Sequence, residues 1–445
     1  MTNSLRKTAW LLLFLLLPLQ SIAFDKAVMD RLAALPGISK VEPLESEAYQ
    51  DKYVMFIKQQ VAHDDASVGT FDQRLIVCHV GFDRPTILVT EGYYAHYALR
   101  KGYQEELSKI LNANVITVEY RYFAESVPQP CNWDYLTVEN SLYDLHNVNM
   151  TFRQAYSGKW IASGISKGGQ TTMFYRAFFP DDVDVSVPYV APLNKSTEDG
   201  RHEPFLSKTV GTKADRKLIA DFQTELCKRK NALMPMLRSH CEKRGYTFRV
   251  PVEDIFDYMV LEYPFAIWQW GTPLSDIPSV TADDKTLFDH LLKINEPDYF
   301  AEQSPFLPFN VQAARELGYY GYDMKPFRKY FSIKTTEDYL HRIMLPAEFA
   351  NVRFDKTLYN RTMKFLKEND PRMIYIYGSI DPWSASGVAG LKFLKNNLPR
   401  LAKKPKLASA AKSQPTRKKL SLTPRFPKPS PTRFSCLRLT SLTTR

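Results

Sequence analysis

Residues 164–168 read Gly-Ile-Ser-Lys-Gly, a G-x-S-x-G pattern whose serine could act as a nucleophile. An apolar run precedes the pattern at 160–163, and a helix-like run follows it at 170–179. This order is typical of a nucleophile elbow, a tight strand-to-helix turn in which small residues let the two backbones approach closely. Ser166 is therefore the candidate nucleophile.

A serine nucleophile needs a base, an acid that orients the base, and N–H donors for the oxyanion. Asp381 follows an apolar, strand-like run at 373–377, which is where a hydrolase with a serine elbow carries its acid. One oxyanion donor is expected to be the backbone N–H of Lys167, directly after the nucleophile. The other is expected from the loop after an earlier strand, from Gly92 or Tyr93.

Buried strands and helices alternate around these residues, after a leading antiparallel hairpin. The predicted elements are hairpin strands at 53–61 and 71–81, buried strands at 86–90, 115–118, 160–162 and 185–190, and helices at 97–111, 137–155 and 170–179. Such alternation indicates a mostly parallel sheet with helices on both faces. With a serine elbow after the third parallel strand, the pattern predicts an α/β-hydrolase fold.

The alternation stops after about residue 193 and resumes at about residue 365. The intervening sequence has helical pieces at 213–229 and 283–292 with proline and aromatic interruptions, which predicts a helical cap inserted into the hydrolase domain. The predicted organisation is a signal peptide at 1–23, a first core part at 24–193, the cap at 194–364, a second core part at 365–394, and a basic disordered tail at 395–445.

Two carboxylates are predicted to lie near the nucleophile. Glu91 and Glu125 follow the first and second parallel strands, and such a pair could bind the terminal ammonium of a peptide, as an exopeptidase requires. The alternative is that both are solvated or paired with arginine. Arg121, which precedes Glu125, is expected to be a structural ion-pair partner.

Five motifs occur in order between about residues 40 and 392, and they are TEGYY, EYRYFAES, WDYLTVENSLYDL, GISKGGQTTMFYRAFFP and YGSIDPWSASG. Together they resemble secreted serine peptidases of the prolyl tri/tetrapeptidyl aminopeptidase family, serine-peptidase family thirty-seven, relatives of lysosomal Pro-Xaa carboxypeptidase and dipeptidyl peptidase II. The resemblance implies an α/β-hydrolase with a helical cap that releases short peptides from a free N-terminus after proline. Ser166 and Asp381 fall on the nucleophile and the acid of that family.

Specificity for proline would require an apolar pocket with aromatic walls. Trp268, Trp270, Tyr319 and Tyr320, all in the predicted cap, are the candidate substrate-binding residues. Ordinary packing inside the cap is the alternative role for each of them.

The expected base is missing from its place in the chain. In this fold the base is a histidine that follows the acid, yet none of the eight histidines follows Asp381. A shift of reading frame between about Leu391 and Leu401 would explain this, with the tail as out-of-frame translation. The alternatives are a histidine recruited from the cap, such as His341, or a genuine tail that anchors the protein to an anionic surface.

The charge distribution argues against nucleic acid as a partner. The chain carries a net charge of +11, but residues 391–445 contain 15 Lys and Arg and no acidic residue, which leaves −4 on residues 1–390. The expected partner is therefore a peptide substrate, and the sequence leaves the oligomeric state open. No cofactor or metal is expected, because no spacing of Cys or His residues suggests a metal site.

The N-terminus predicts export to the periplasm or the outside. Arg6 and Lys7 precede an apolar run at 9–19, and small residues at 21 and 23 suit a signal peptidase. The run is too short for an ordinary membrane-spanning helix, so no stable membrane insertion is expected, although an uncleaved anchor is the alternative.

Export would also permit disulfide bonds among the four cysteines outside the tail. Three pairings of Cys78, Cys131, Cys227 and Cys241 are possible, and the pair Cys227 with Cys241 is the most local. Free buried thiols are the alternative.

Two other functions fit the same residues. An esterase could use the same nucleophile and acid, since the fold serves many acyl transfers. A hydrolase-like binding protein that lost its base would need neither.

Overall fold

The computed structural model describes residues 24–369 and 371–388. The predicted signal peptide and basic tail lie outside these residues. No helix in the described ranges is long and apolar enough to cross a membrane.

A seven-stranded sheet forms the centre of the molecule, in the order β1-β2-β3-β5-β4-β6-β7. Its strands are β1 Ile38–Pro43, β2 Asp51–Gln60, β3 Thr70–His79, β4 Thr86–Thr90, β5 Asn114–Val118, β6 Trp160–Ile165 and β7 Val185–Tyr189. The first three are antiparallel to their neighbours, and β4 pairs in parallel with β5 and β6, as β6 does with β7. The predicted hairpin is β2 and β3, whereas the sequence pattern did not predict β1.

The strand order reverses at β4, which places a crevice at the carboxyl ends of the central strands. From β4 the chain crosses to β5 on one side, and it then returns to β6 on the other side. In open α/β sheets, ligands bind outside the carboxyl ends of the strands at such a switch point. Every residue of β4 and β5 is buried, so the strands that flank this crevice are rigid parts of the core.

Helices cover the sheet and fill the region between β7 and the end of the described chain. The α-helices of at least four residues are α1 Lys26–Ala33, α2 His96–Leu99, α3 Glu106–Leu111, α4 Val138–Phe152, α5 Lys167–Phe178, α6 Lys213–Lys228, α7 Lys230–Arg244, α8 Val252–Gln269, α9 Asp284–Ile294, α10 Leu307–Gln312 and α11 Thr357–Glu368. The single helix predicted at 97–111 is wrong, because the chain bends through Gly102 and forms two short helices instead.

The helical segment after β7 packs on the sheet through a largely apolar core. Its central helix, α8, contains Pro264 and buries thirteen of its residues. Because the helix is buried on most sides, its sequence shows no amphipathic period, and the sequence pattern did not predict it. Tertiary burial outweighs the local cost of proline here.

The run at 373–377, predicted as a strand, lies parallel to β7 but forms only two isolated bridges, Ser186 with Met373 and Tyr189 with Ile376. Backbone bonds continue the pairing, since Ile374 N–H donates to Ser186 O at 2.9 Å and Val190 N–H to Ile376 O at 2.7 Å. This arrangement sets the loop that contains Asp381 at the carboxyl edge of the sheet.

The most local disulfide does not form. Cys227 and Cys241 are free thiols, as is Cys78, and all three are buried. Cys227 and Cys241 lie on consecutive helices, α6 and α7, and burial raises the pKa of the Cys241 thiol to about 11. Of the alternatives that the sequence left open, free buried thiols hold for these three cysteines.

Candidate active site

Ser166 occupies a strained backbone conformation between β6 and α5. Its φ of 57° and ψ of −119° lie in a region that residues with a side chain rarely adopt. The turn is held from both sides, because Ser166 N–H donates to Tyr189 O at 3.0 Å and Gln170 N–H donates to Ser166 O at 2.9 Å. Strain held in this way clusters at functional sites.

The two glycines of the motif are required by close approach of the backbone. A Cβ on Gly164 would lie 2.4 Å from Gly168 O, and one on Gly168 would lie 2.6 Å from Thr90 O. Thr90 Oγ1 also donates to Gly168 O at 3.0 Å. The elbow is thus packed directly against the end of β4, as the sequence motif predicts.

The loop after β4 lies on the other side of the elbow. A Cβ on Gly92 would be 2.6 Å from both Cβ and Cγ of Lys167, so the loop rests on the stem of that side chain. Gly92 N–H bonds to the Glu91 carboxylate. The backbone N–H groups of Tyr93 and Lys167 have no partner among the described residues, so Tyr93 offers the free donor of the two loop candidates.

Asp381 begins a short 3₁₀ turn, and its carboxylate accepts the N–H of Trp383 at 2.9 Å. Burial raises its pKa to about 6, which the Trp383 bond partly offsets. Asp381 is therefore ionised at neutral pH, the state in which a carboxylate can orient an imidazole.

Glu91 and Glu125 have different environments. Burial raises the pKa of Glu91 to about 7, although its carboxylate accepts the Tyr97 hydroxyl. The Glu125 side chain is 62% exposed, and Arg74 Nη1 is 3.9 Å from its Oε1. Burial raises the pKa of other carboxyls to about 7 as well, and these are Glu105, Glu262 and Glu316.

Glu119 organises the two loops that carry the candidate carboxylates, and the sequence analysis did not identify it. This buried residue follows β5 and forms an ion pair with Arg74. It accepts the N–H of Ala95 at 3.1 Å, the N–H of Glu125 at 3.1 Å and the hydroxyl of Ser126 at 3.0 Å. An acid placed directly after a predicted buried strand was the available signal.

Arg121 is the structural ion-pair partner that the sequence predicted. Its Nε and Nη2 each lie 2.7 Å from an oxygen of Asp144, and both residues are buried. Burial alone would raise the pKa of Asp144, but Arg121 and His63 hold it below its usual value. Arg121 is thus a structural residue of the core, where its guanidinium is bonded to Asp144.

A chain of aromatic rings connects the loop after β4 to the loop that contains Asp381. The ring centroids of Tyr93 and Phe309 are 5.5 Å apart, those of Phe309 and Tyr319 are 5.5 Å apart, and those of Tyr319 and Trp383 are 5.4 Å apart. Tyr320 extends the chain, with its centroid 4.4 Å from Tyr319. We call these five residues the aromatic chain.

The two candidate tryptophans lie apart from the aromatic chain. Trp268 is buried near the end of α8 and sits against Gly211, while Trp270 is 50% exposed just beyond it. Neither contacts another aromatic ring within the described ranges. Their predicted role in binding substrate stays a prediction.

No histidine in residues 24–369 or 371–388 hydrogen-bonds to Ser166 or Asp381. Both ring nitrogens of His341 have other partners, Asp338 Oδ1 at 2.5 Å and Val352 O at 3.0 Å. The same ranges contain no cluster of Cys, His, Asp or Glu that could hold a metal ion.

His202 is the histidine that packs beside the acid loop. Its ring centroid is 5.6 Å from that of Trp383, and its Nδ1 lies 3.0 Å from Asp199 O. Burial lowers the pKa of His202 to about 4, so the ring is neutral at pH 7.

The strand order, the strained serine after β6 and the acid after the strand-like run define an α/β-hydrolase with a serine nucleophile elbow. The PS-10 peptidase S37 family model matches residues 23–392. The chain belongs to this family, which confirms the resemblance carried by the five motifs.

Relatives agree with the family. The chain is 28% identical over 371 residues to prolyl tri/tetrapeptidyl aminopeptidase of Streptomyces mobaraensis, covering 80% of this chain and 75% of the relative. It is 28% identical over 169 residues to lysosomal Pro-X carboxypeptidase of Mus musculus, covering 34% of each protein. The match to a solved hyperthermophilic esterase from the archaeon Pyrobaculum calidifontis covers 41% of this chain and 54% of that chain at 17% identity, with a TM-score of 0.24.

Proposed function

We propose that this protein is an exported serine exopeptidase that releases short peptides from the free N-terminus of polypeptides after proline. The observation that carries the proposal is the strained elbow at Ser166, in a chain that spans 75% of a prolyl tri/tetrapeptidyl aminopeptidase. An elbow in this conformation presents the serine hydroxyl above the sheet, where it can attack a carbonyl carbon.

The reaction would proceed through an acyl-enzyme on Ser166. As the serine oxygen attacks, negative charge develops on the carbonyl oxygen, and the N–H groups of Lys167 and Tyr93 are the proposed donors to it. Asp381, ionised above pH 6, would orient the base and stabilise its charged form.

The base position limits turnover in this chain. No histidine follows Asp381 in the 445 residues, and loss of one triad member typically costs about four orders of magnitude in rate. We therefore expect slow turnover by this chain. This same observation favours a second candidate function, a hydrolase-like protein that binds peptides without cleaving them.

Recognition of a free N-terminus is proposed for Glu91 and Glu125. An ammonium ion near the half-buried Glu91 carboxylate would favour its ionised form and gain a charge-assisted hydrogen bond. Glu125 is more exposed, so its contribution would be more strongly screened by salt. Kinetics on a peptide with a free N-terminus and on its acetylated form, for Glu91→Gln and Glu125→Gln, test this assignment, since loss of discrimination between the two peptides is expected.

The proline subsite is proposed to be walled by the aromatic chain, of which Phe309, Tyr319 and Tyr320 belong to a proposed cap at residues 194–364. Rings of this kind give the pyrrolidine ring apolar contact without requiring an N–H that proline lacks. Tyr319→Ala is expected to raise KM for prolyl substrates more than for alanyl substrates. Tyr143→Ala serves as the comparison, because Tyr143 is an exposed aromatic residue on α4, outside the aromatic chain and the candidate substrate-binding residues.

A fluorophosphonate probe tests the reaction class. Labelling of the full chain is expected to disappear in Ser166→Ala, to persist in Ser163→Ala, and to slow as the pH falls through about 6, when Asp381 takes up a proton. Absence of labelling in the unaltered chain would support the binding function instead. Faster turnover of a short acyl ester than of a prolyl tripeptide anilide would contradict the peptidase assignment.

Export is proposed from residues 1–23. The N-terminal sequence of the protein recovered from the periplasm or medium is expected to begin at Phe24. A recovered protein that still begins at Met1 would contradict cleavage.

A further inference from the structure

We propose that the side chain of Lys167 is a positioning residue that aims the N–H of Tyr93 at the oxyanion. Lys167 Nζ donates to Gly92 O at 2.6 Å. This inference rests on the proposed function, in which Tyr93 N–H is an oxyanion donor, and it assigns a second task to a residue whose backbone N–H is the other proposed donor.

The argument follows from the geometry of one peptide unit. The bond between Gly92 and Tyr93 is trans, so the C=O of Gly92 and the N–H of Tyr93 point in opposite directions. A donor that holds the oxygen on one side therefore directs the N–H to the other side. A hydrogen bond accepted at the oxygen also polarises the peptide and strengthens its N–H as a donor.

The lysine itself is held firmly. Its side chain is 3% exposed, and Nζ lies 3.5 Å from the ring centroid of Tyr120 and 5.5 Å from those of Tyr93 and Phe123. The backbone N–H of Tyr120 donates in turn to Tyr93 O at 3.1 Å. Both ends of the Tyr93 backbone are thereby fixed by one small cluster.

An apolar side chain would fill this aromatic cage as well as the stem of lysine does. What lysine adds is a donor at its tip, and that tip bonds to one backbone oxygen. Burial lowers the pKa of Lys167 well below its usual value, while Glu316 and Glu91 oppose the shift. An amine and an ammonium both donate, so the bond to Gly92 persists in either state.

Lys52 offers a matched control within the same sheet. It is also buried, its Nζ donates to Arg100 O at 2.9 Å, and it lies 5.8 Å from the ring centroid of Tyr103. The variant Lys52→Met removes the same kind of bond from a loop that the proposed chemistry does not use.

The experiment compares Lys167→Met, Lys167→Arg and Lys52→Met in the full chain. Hydrogen–deuterium exchange is measured at the backbone amides of Ala95 and Tyr120, whose hydrogen bonds fix the loop after β4. The rate at which Ser166 reacts is measured at several fluorophosphonate concentrations, which gives the half-saturating concentration of the probe and the limiting rate. Lys167→Met is expected to speed exchange at both amides roughly tenfold. It is expected to lower the limiting rate by about 10- to 100-fold with the half-saturating concentration unchanged, since a lost oxyanion donor costs about 100-fold or more.

Lys167→Arg should keep amide exchange slow and retain part of the limiting rate of reaction with the fluorophosphonate. Lys52→Met should leave the amide exchange and the limiting rate as they are in the unaltered chain. Unchanged exchange in Lys167→Met would overturn the proposal, whether or not the protein reacts with the probe. An unaltered chain that never reacts would refute the proposed function alone, because the exchange result still decides the role of Lys167. If Lys167→Met does not fold, Gly92→Ala displaces the same loop, and normal exchange with a normal limiting rate in that variant would overturn the proposal.

Discussion

Replacing Ser166 by glycine is expected to give a more stable protein than replacing it by alanine. At a φ of 57° and a ψ of −119°, a residue with a Cβ stores about 1 to 3 kcal/mol of strain, which glycine does not. Glycine loses about 0.4 to 1 kcal/mol of that advantage, because it gives the unfolded chain more freedom. The net gain of Ser166→Gly over Ser166→Ala is therefore about 1 kcal/mol.

Urea unfolding of the two variants measures this difference, since neither has the hydroxyl and only the Cβ distinguishes them. Ser186 supplies the control, because it is buried in β7, where glycine should be less stable than alanine by about 0.5 to 1 kcal/mol. The reasoning about strain would be refuted if Ser166→Gly were less stable than Ser166→Ala by the amount seen at Ser186.

Three further changes test the core and the elbow. Arg121→Met should lower the free energy of unfolding by about 3 to 5 kcal/mol in urea titrations, because it leaves Asp144 buried without its main partner. The free energy of unfolding of Glu262→Gln, relative to that of the parent, should rise by about 2 to 3 kcal/mol from pH 5 to pH 8, as measured by unfolding at both pH values. Burial raises the pKa of Glu262 to about 7, so the folded parent keeps a proton that the unfolded chain releases near pH 4.5, and only the parent loses stability as the pH rises. Gly168→Ala should lower the melting temperature and abolish probe labelling, because its Cβ would meet Thr90 O; normal labelling would contradict this.

The elements that the sequence predicted well are those in which local pattern and tertiary environment agree. The predicted strand at 86–90 matches β4 at both ends, because five consecutive apolar or β-branched residues are buried on both faces. The elbow was predictable for a related reason, since the glycines at 164 and 168 record how closely two backbones approach. The α/β-hydrolase fold followed from these elements, whereas the peptidase family was indicated by the resemblance of the five motifs.

Long-range contacts explain what the sequence did not reveal. Glu119 acts through N–H groups on two loops, and nothing in its neighbourhood along the chain indicates that Ala95 is a partner. The aromatic chain combines residues from 93 to 383, so its members could only be guessed one at a time. Cys227 and Cys241 are close in sequence, but each is buried as a free thiol on its own helix.

Four carboxyls with a pKa of about 7, one buried and three half-buried, make the charge of this protein adjustable. Each of Glu91, Glu105, Glu262 and Glu316 is partly protonated at pH 7, so the formal charge of +11 counts more negative charge on these four groups than they hold. A cation that approaches one of them will expel its proton instead of meeting a fixed charge. A peptide ammonium bound beside Glu91 would thus release a fraction of a proton to the solvent, and binding heats would then depend on the ionisation enthalpy of the buffer.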